Sequence, residues 1–107
     1  MTKQNAKFYG ISAKYPSFSN KGKTMYFQYS VKYENDVECG GGYVKIGAAM
    51  DNQEEFGDPT EYNIMFGPDK CGATKRTHLI FSYKGKNHLK RTDLPYRQDT
   101  MGELLVL

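Results

Sequence analysis

Apolar and polar residues alternate most regularly between positions 24 and 33. The odd-numbered positions carry apolar and aromatic side chains, namely Met25, Phe27, Tyr29, Val31 and Tyr33. Because successive side chains of a β-strand point to opposite faces, this period of two predicts a strand with one face on the core and the other polar or solvated. No stretch of the chain shows the 3.6-residue period of an amphipathic helix.

Shorter runs of the same alternation predict strands elsewhere in the chain. The full set is residues 7–15 (half-buried), 24–33, 43–46, 61–66, 77–83, a short strand near 88–91, and one that begins at 104. Turn residues separate these runs, and we expect residues 67–69 to end one strand and residues 84–87 to form a turn. Residues 50–60 and 94–100 show no period and are predicted loops. Short strands with turn signals about every ten residues indicate an all-β, antiparallel sandwich, or part of one.

The last four residues, 104–107, are Leu-Leu-Val-Leu and have the composition of a buried strand. A terminus rarely lies inside a core strand, since this leaves backbone groups and apolar surface without partners. We therefore expect residues 1–107 to be a segment of one domain, with further strands outside it. Either a second piece of the same protein packs against the segment, or its apolar edge promotes aggregation.

The composition agrees with a turn-rich β-protein. The chain has nine Tyr, six Phe and 11 Gly, and it is 38% hydrophobic and 25% charged, which is typical of a globular domain. No run approaches the roughly 18 to 20 apolar residues that a membrane span needs. Residues 1–5 are polar and lack the apolar region of a signal peptide. We expect no membrane span.

The net charge of +3 is unevenly distributed along the sequence. Residues 1–33 hold six Lys and no acid, residues 34–69 hold nine acids and one Lys, and residues 70–107 hold eight basic and three acidic residues. A nucleic-acid surface needs a continuous basic footprint, and here an acidic third interrupts it. The pattern favours an ordinary charged surface and no nucleic-acid partner.

Two cysteines, Cys39 and Cys71, lie 32 positions apart. There is no Cys-x-x-Cys pair, and His78 and His88 lack zinc-type spacing to either cysteine. The residues alone leave a disulfide and two free thiols equally open, and they predict no metal site.

Catalytic patterns find little support in the sequence. The glycine run at residues 40–42 precedes a strand, whereas phosphate-binding loops lead into a helix, so a tight bend explains it better. Glycosidases need two facing carboxylates; the acids at 34–38 and 51–55 fall instead in a predicted turn and a predicted loop. We expect a non-enzymatic protein.

Sugar binding requires flat aromatic or thioether surface beside fixed polar groups on a rigid sheet. Tyr43 and Lys45, at i and i+2, place a phenol and an ammonium on one strand face. Tyr62 and Met65 supply a ring and a sulfur, and Asp69 supplies a carboxylate. Tyr/Lys pairs also occur on ordinary strand surfaces, so these residue types leave both interpretations open.

Two longer motifs resemble the signature segments of the calreticulin and calnexin family, most closely its calreticulin branch. They are CGGGYVK at residues 39–45 and IMFGPDKCG at residues 64–72, with further matches in FSNKGK at 18–23 and YKGKN at 83–87. The similarity covers nearly the whole chain, and the motifs are long and specific.

This resemblance implies a concanavalin-like jelly-roll lectin domain that binds monoglucosylated high-mannose N-glycans on folding glycoproteins. Residue by residue, the matching sugar contacts are Tyr43, Lys45, Tyr62, Met65 and Asp69, with Ile80 on the following strand. A backbone contact of the family falls at Gly57, where Pro59 lengthens the loop by about one residue. The family disulfide corresponds to Cys39–Cys71.

The resemblance also implies features outside residues 1–107. These are the proline-rich arm that recruits a protein disulfide isomerase, the acidic calcium-binding tail, the globular calcium site, and an Asp and a Trp that complete the sugar site. The implied compartment is the lumen of the endoplasmic reticulum. The alternative function is glycan-independent binding of unfolded polypeptide by the same domain.

Overall fold

The computed structural model describes residues 4, 6–31, 33, 37–91, 97–99 and 102–106. Within them lie eight strands and one short 3-10 helix: β1 (Gln28–Val31), β2 (Cys39–Gly41), β3 (Val44–Ile46), the helix (Gln53–Glu55), β4 (Ile64–Cys71), β5 (Thr74–Tyr83), β6 (Lys86–Arg91), β7 (Arg97–Asp99) and β8 (Gly102–Val106). Every strand pairing is antiparallel. The predicted all-β, antiparallel fold is confirmed.

The strands form two sheets. One is three-stranded, in the order β1-β8-β7, and the other is five-stranded, in the order β2-β4-β5-β6 with β3 also on β4. Since β5 pairs with β4 along the whole length of β4, β2 and β3 share its opposite edge one after the other. The long strand β4 is therefore the centre of the larger sheet.

Aromatic rings join the two sheets. Phe66 of β4 is only 1% exposed, and the rings of Phe27 and Tyr29 each meet it edge-on with centroids 5.4 Å apart. Exposed and half-buried positions alternate from residue 25 to 31 as predicted, although the paired strand β1 begins only at Gln28. Burying large rings edge-to-face stabilises this contact beyond the area removed from water.

The prediction that residues 67–69 end the strand is wrong, because β4 continues through them to Cys71. Gly42 and Pro68 come directly after the last β2–β4 register pair, Gly41 and Asp69, and the Gly42 N–H donates to the Pro68 carbonyl at 3.0 Å. Proline has no N–H to return that bond. The Tyr29 hydroxyl donates to the Gly42 carbonyl instead, at 2.7 Å, so a side chain from β1 completes the ladder where the proline cannot.

Residues 7–15 were expected to form a strand, and this prediction is also wrong. The segment has no strand pairing within the described residues, and both Phe8 and Ile11 are 93% exposed. It lies against the loop after β3, where the Ser12 hydroxyl donates to the Gln53 carbonyl at 3.1 Å. A period of two becomes a strand only where a neighbouring strand supplies hydrogen bonds.

The other boundaries differ by a few residues. The turn predicted at residues 84–87 consists of Lys84 and Gly85 alone, both with positive φ, as a tight two-residue hairpin requires. Strand β7 falls inside the predicted loop at 94–100, of which residues 94–96 and 100 lie outside the described part.

The predicted strand at the end of the chain is present as β8. It pairs within the same chain, with β1 on one side and β7 on the other. Leu107 lies outside the described residues. No helix among the described residues is long and apolar enough to cross a membrane.

Candidate functional site

The strand register places three of the predicted site residues in one row across the larger sheet. Lys45 of β3 is opposite Met65 of β4, and Met65 is opposite Ile80 of β5. Directly opposed residues of antiparallel strands project from the same face. An ammonium, a thioether and an aliphatic side chain are thus neighbours on this face, which we call the site face and define by Lys45, Met65 and Ile80.

Tyr43 joins this face from the link between β2 and β3. Its ring lies over Gly41, where any Cβ would collide with the ring. From there the Tyr43 hydroxyl donates to Asp69 Oδ2 at 2.6 Å. Gly41 is also the register partner of Asp69. The absence of a side chain at Gly41 therefore allows a phenol to reach a carboxylate on the neighbouring strand.

The hydrogen bond to Asp69 changes the acidity of Tyr43. Partial burial of the phenol, the hydrogen bond and the nearby carboxylate charge all disfavour the tyrosinate, so they raise the pKa of Tyr43 well above its ordinary value of 10.0. Tyr43 consequently remains a neutral hydrogen-bond donor throughout the physiological pH range.

His78 is a residue that sequence reasoning missed. Its Nε2 lies 3.4 Å from Asp69 Oδ2, and its ring centroid is 6.2 Å from that of Tyr43. His78 is opposite Gly67, which has no side chain to separate it from Tyr43. The signal was available, because His78 is two positions before Ile80 on the same strand and so shares its face.

Lys45 makes three hydrogen bonds to main-chain carbonyls of the loop that connects β3 to β4. Its Nζ donates to the carbonyls of Gly57 at 2.9 Å, Asp58 at 2.6 Å and Thr60 at 3.0 Å. An ammonium has three N–H donors, so all of them are directed at one turn. Lys45 therefore ties the sheet to the turn at residues 57–60.

Tyr62 adjoins this lysine. The Lys45 ammonium lies 5.3 Å from the centroid of the Tyr62 ring, within cation–π range. The next residue, Asn63, extends the ladder on both sides: its N–H donates to Ile46 O at 2.9 Å, and its carbonyl accepts from Ser82 N at 2.9 Å. Tyr62 thus lies just before the start of β4, beside Lys45 of the site face.

A disulfide links Cys39 and Cys71 at the far end of the β2–β4 ladder, with an S–S distance of 2.11 Å. The two cysteines are register partners, and the Gly72 N–H donates to Glu38 O beside them at 2.8 Å. On the chain-entropy account, closing a loop of about 33 residues stabilises a fold by roughly 3.5 to 4 kcal/mol. The bond secures β2, and with it the link that carries Tyr43.

No group of three His, Cys, Asp or Glu residues within the described part of the chain is arranged to hold a metal ion. The acids of the loop after β3 are exposed and separate, and Asp69 is engaged with Tyr43 and His78.

Comparison with known proteins places the chain in a family. The model of the calreticulin family matches residues 1–102. The chain belongs to the calreticulin family. It is 54% identical over 93 residues to calreticulin of Dictyostelium discoideum, covering 87% of this chain and 22% of that protein.

Other relatives agree across nearly the whole sequence. The chain is 51% identical to calreticulin of Onchocerca volvulus, covering 99% of the chain and 28% of that protein, and 50% identical to calreticulin of Mus musculus, covering 99% and 26%. The chain thus spans about a quarter of the length of these calreticulin-family relatives. No solved structure matches significantly.

Proposed function

We propose that the chain is the carbohydrate-binding segment of a calreticulin-type lectin chaperone, and that it recognises monoglucosylated high-mannose glycans on folding glycoproteins. The observation that carries this proposal is the 2.6 Å hydrogen bond between Tyr43 and Asp69 beside the row formed by the site face. Membership of the calreticulin family supports it.

The side chains of the site contribute apolar surface and hydrogen-bonding groups to sugar binding. Met65, Ile80 and the ring of Tyr62 offer apolar surface to the carbon faces of pyranose rings. Asp69 has carboxylate lone pairs beyond the one that accepts from Tyr43, and it can accept from sugar hydroxyls. The carbonyls of Gly57, Asp58 and Thr60, each with a lone pair beyond the one that accepts from Lys45, provide a polar end to the same surface.

The proposed setting is the lumen of the endoplasmic reticulum, with no enzymatic activity. The Cys39–Cys71 disulfide fits an oxidising compartment. We propose that a protein disulfide isomerase is recruited by an arm outside residues 1–107, and that calcium is bound by residues outside them as well. Residues 1–107 would then be one segment of a larger lectin domain.

A second candidate is glycan-independent binding of unfolded polypeptide. The observation in its favour is a run of exposed aromatic and aliphatic side chains ahead of β1, comprising Phe8, Tyr9, Ile11, Tyr15 and Phe18. Exposed apolar surface of this kind suits contact with an unfolded chain. This run lies outside the site face, so the two activities would use different surfaces.

Isothermal titration calorimetry distinguishes the two candidates. The protein should bind a monoglucosylated oligomannose, and it should bind the same oligomannose without glucose at least about tenfold more weakly. A non-glycosylated unfolded protein whose binding survives an excess of free glycan would support the second candidate. Equal affinity for the two oligosaccharides would contradict the proposed glycan specificity.

A further inference from the structure

The turn at residues 57–60 directs three carbonyl groups at one cation. Over four residues it presents the carbonyls of Gly57, Asp58 and Thr60 to Lys45 Nζ at 2.6 to 3.0 Å. Pro59, the remaining member, has a fixed φ and no N–H that could compete for these acceptors. An arrangement that occupies all three donors of an ammonium restricts the direction in which the lysine side chain points.

The Thr60 side chain closes this turn. Its hydroxyl oxygen accepts from the Gly57 N–H at 2.8 Å, and the Thr60 N–H donates to the Gly57 carbonyl at 3.2 Å. The first of these bonds is partly buried. Both ends of the turn are therefore tied together, and one of the two ties depends on a single hydroxyl group.

We propose that Thr60 is a positioning residue for the glycan site: its hydroxyl fixes the carbonyl groups that hold the ammonium of Lys45, the residue at one end of the site-face row. This inference rests on the proposed glycan-binding function. Thr60 itself need not touch the sugar. It acts through Gly57 and Lys45, and Lys45 is in the same row of the sheet as Met65 and Ile80.

Loss of the hydroxyl has a defined consequence. The partly buried Gly57 N–H loses its acceptor and the turn loosens. The carbonyls of the turn and the Lys45 side chain that they hold then gain conformations, which must be given up again when a glycan packs against them. Immobilising one long side chain weakens affinity by roughly 3- to 10-fold. We therefore expect Thr60→Val, which retains the shape of threonine but lacks its hydroxyl, to bind the glycan about 3- to 10-fold more weakly than the wild type.

The test compares Thr60→Val with Thr60→Ser in the whole chain, using calorimetry with a monoglucosylated oligomannose and amide hydrogen exchange at Gly57. Thr77→Val is the matched control, because Thr77 is fully buried and its hydroxyl has no hydrogen-bond partner among the described residues. Thr77→Val should leave glycan affinity unchanged.

The expected result is weaker binding and faster Gly57 exchange in Thr60→Val, with both restored in Thr60→Ser. Wild-type affinity in a folded Thr60→Val protein would overturn the inference, and so would Thr60→Ser binding as weakly as Thr60→Val. If the wild type binds no glucosylated oligomannose, the proposed function fails first, and this is visible before any variant is made.

Discussion

At the scale of single residues, Tyr43 shows how a missing side chain creates a polar contact. Gly41 leaves room for the ring, and the hydroxyl donates to Asp69 on the adjacent strand at 2.6 Å. His78 approaches the same carboxylate from the other side, at 3.4 Å. The Asp69 carboxylate on β4 thus lies between the Tyr43 phenol, from the link between β2 and β3, and the His78 imidazole on β5.

Titration of Tyr43 tests this contact. The raised pKa means that the contact contributes stability that is complete below pH ~10 and is lost as the pH rises through the folded-state pKa. In a spectrophotometric titration of tyrosinate, the wild type should show a tyrosine that ionises above the ordinary range. This component should be missing from Tyr43→Phe.

Tyr26→Phe is the control for that titration, because Tyr26 is 85% exposed. The component that ionises above the ordinary range should persist in Tyr26→Phe. If the same component also persisted in Tyr43→Phe, Tyr43 would not be hydrogen-bonded to Asp69 in solution.

At the scale of elements, β4 carries the site because it continues through a glycine and a proline. Gly67 has a φ of 153°, and a Cβ there would collide with the Gly42 carbonyl and approach Tyr29 Oη to 2.7 Å. The same close approach allows Tyr29 to supply the hydrogen bond that Pro68 cannot. Strand β4, which the sequence predicted to end at Gly67, therefore continues because Tyr29 of β1 supplies the missing hydrogen bond.

Gly67→Ala should destabilise the fold by more than about 2 kcal/mol, since it combines an unfavourable φ with a collision against backbone. Gly72→Ala is the control: its φ is +59° but it faces open space, so the cost should be only about 1 kcal/mol. Denaturant unfolding of both variants measures the difference. Equal destabilisation would show that the close packing of Gly67 against Gly42 is not formed.

At the scale of the whole molecule, the sequence predicted a strand correctly only where another strand lies beside it and supplies hydrogen bonds. The alternation around Phe27 and Tyr29 correctly predicted a face that packs on the core, because β8 pairs with β1 and Phe66 packs against both rings. The similar alternation at residues 7–15 did not become a strand, because no described strand pairs with it. Alternation of apolar and polar residues indicates that a segment favours the β conformation, whereas the presence of a neighbouring strand determines whether it forms a strand.

The candidate site was only partly predictable for a similar reason. The i, i+2 spacing of Tyr43 and Lys45 indicated a shared face, and the family motifs implied the disulfide. The contacts of Lys45 with the turn at residues 57–60 depend on how a loop of irregular sequence folds back, which no period encodes. The spacing of His78 and Ile80 indicated a shared face, but the approach of His78 to Asp69 depends on strand register, which sequence alone leaves undetermined.

The central claim is that Asp69 is a glycan acceptor on the site face. Calorimetry of Asp69→Asn with a monoglucosylated oligomannose tests it most directly, with Asp51→Asn, a change in the exposed loop, as the matched control. Removing a charged acceptor should weaken binding by roughly 10-fold or more, since hydrogen bonds to charged groups contribute about 1.5 to 3 kcal/mol, while the control binds like the wild type. Equal affinity in a folded Asp69→Asn protein would contradict the claim.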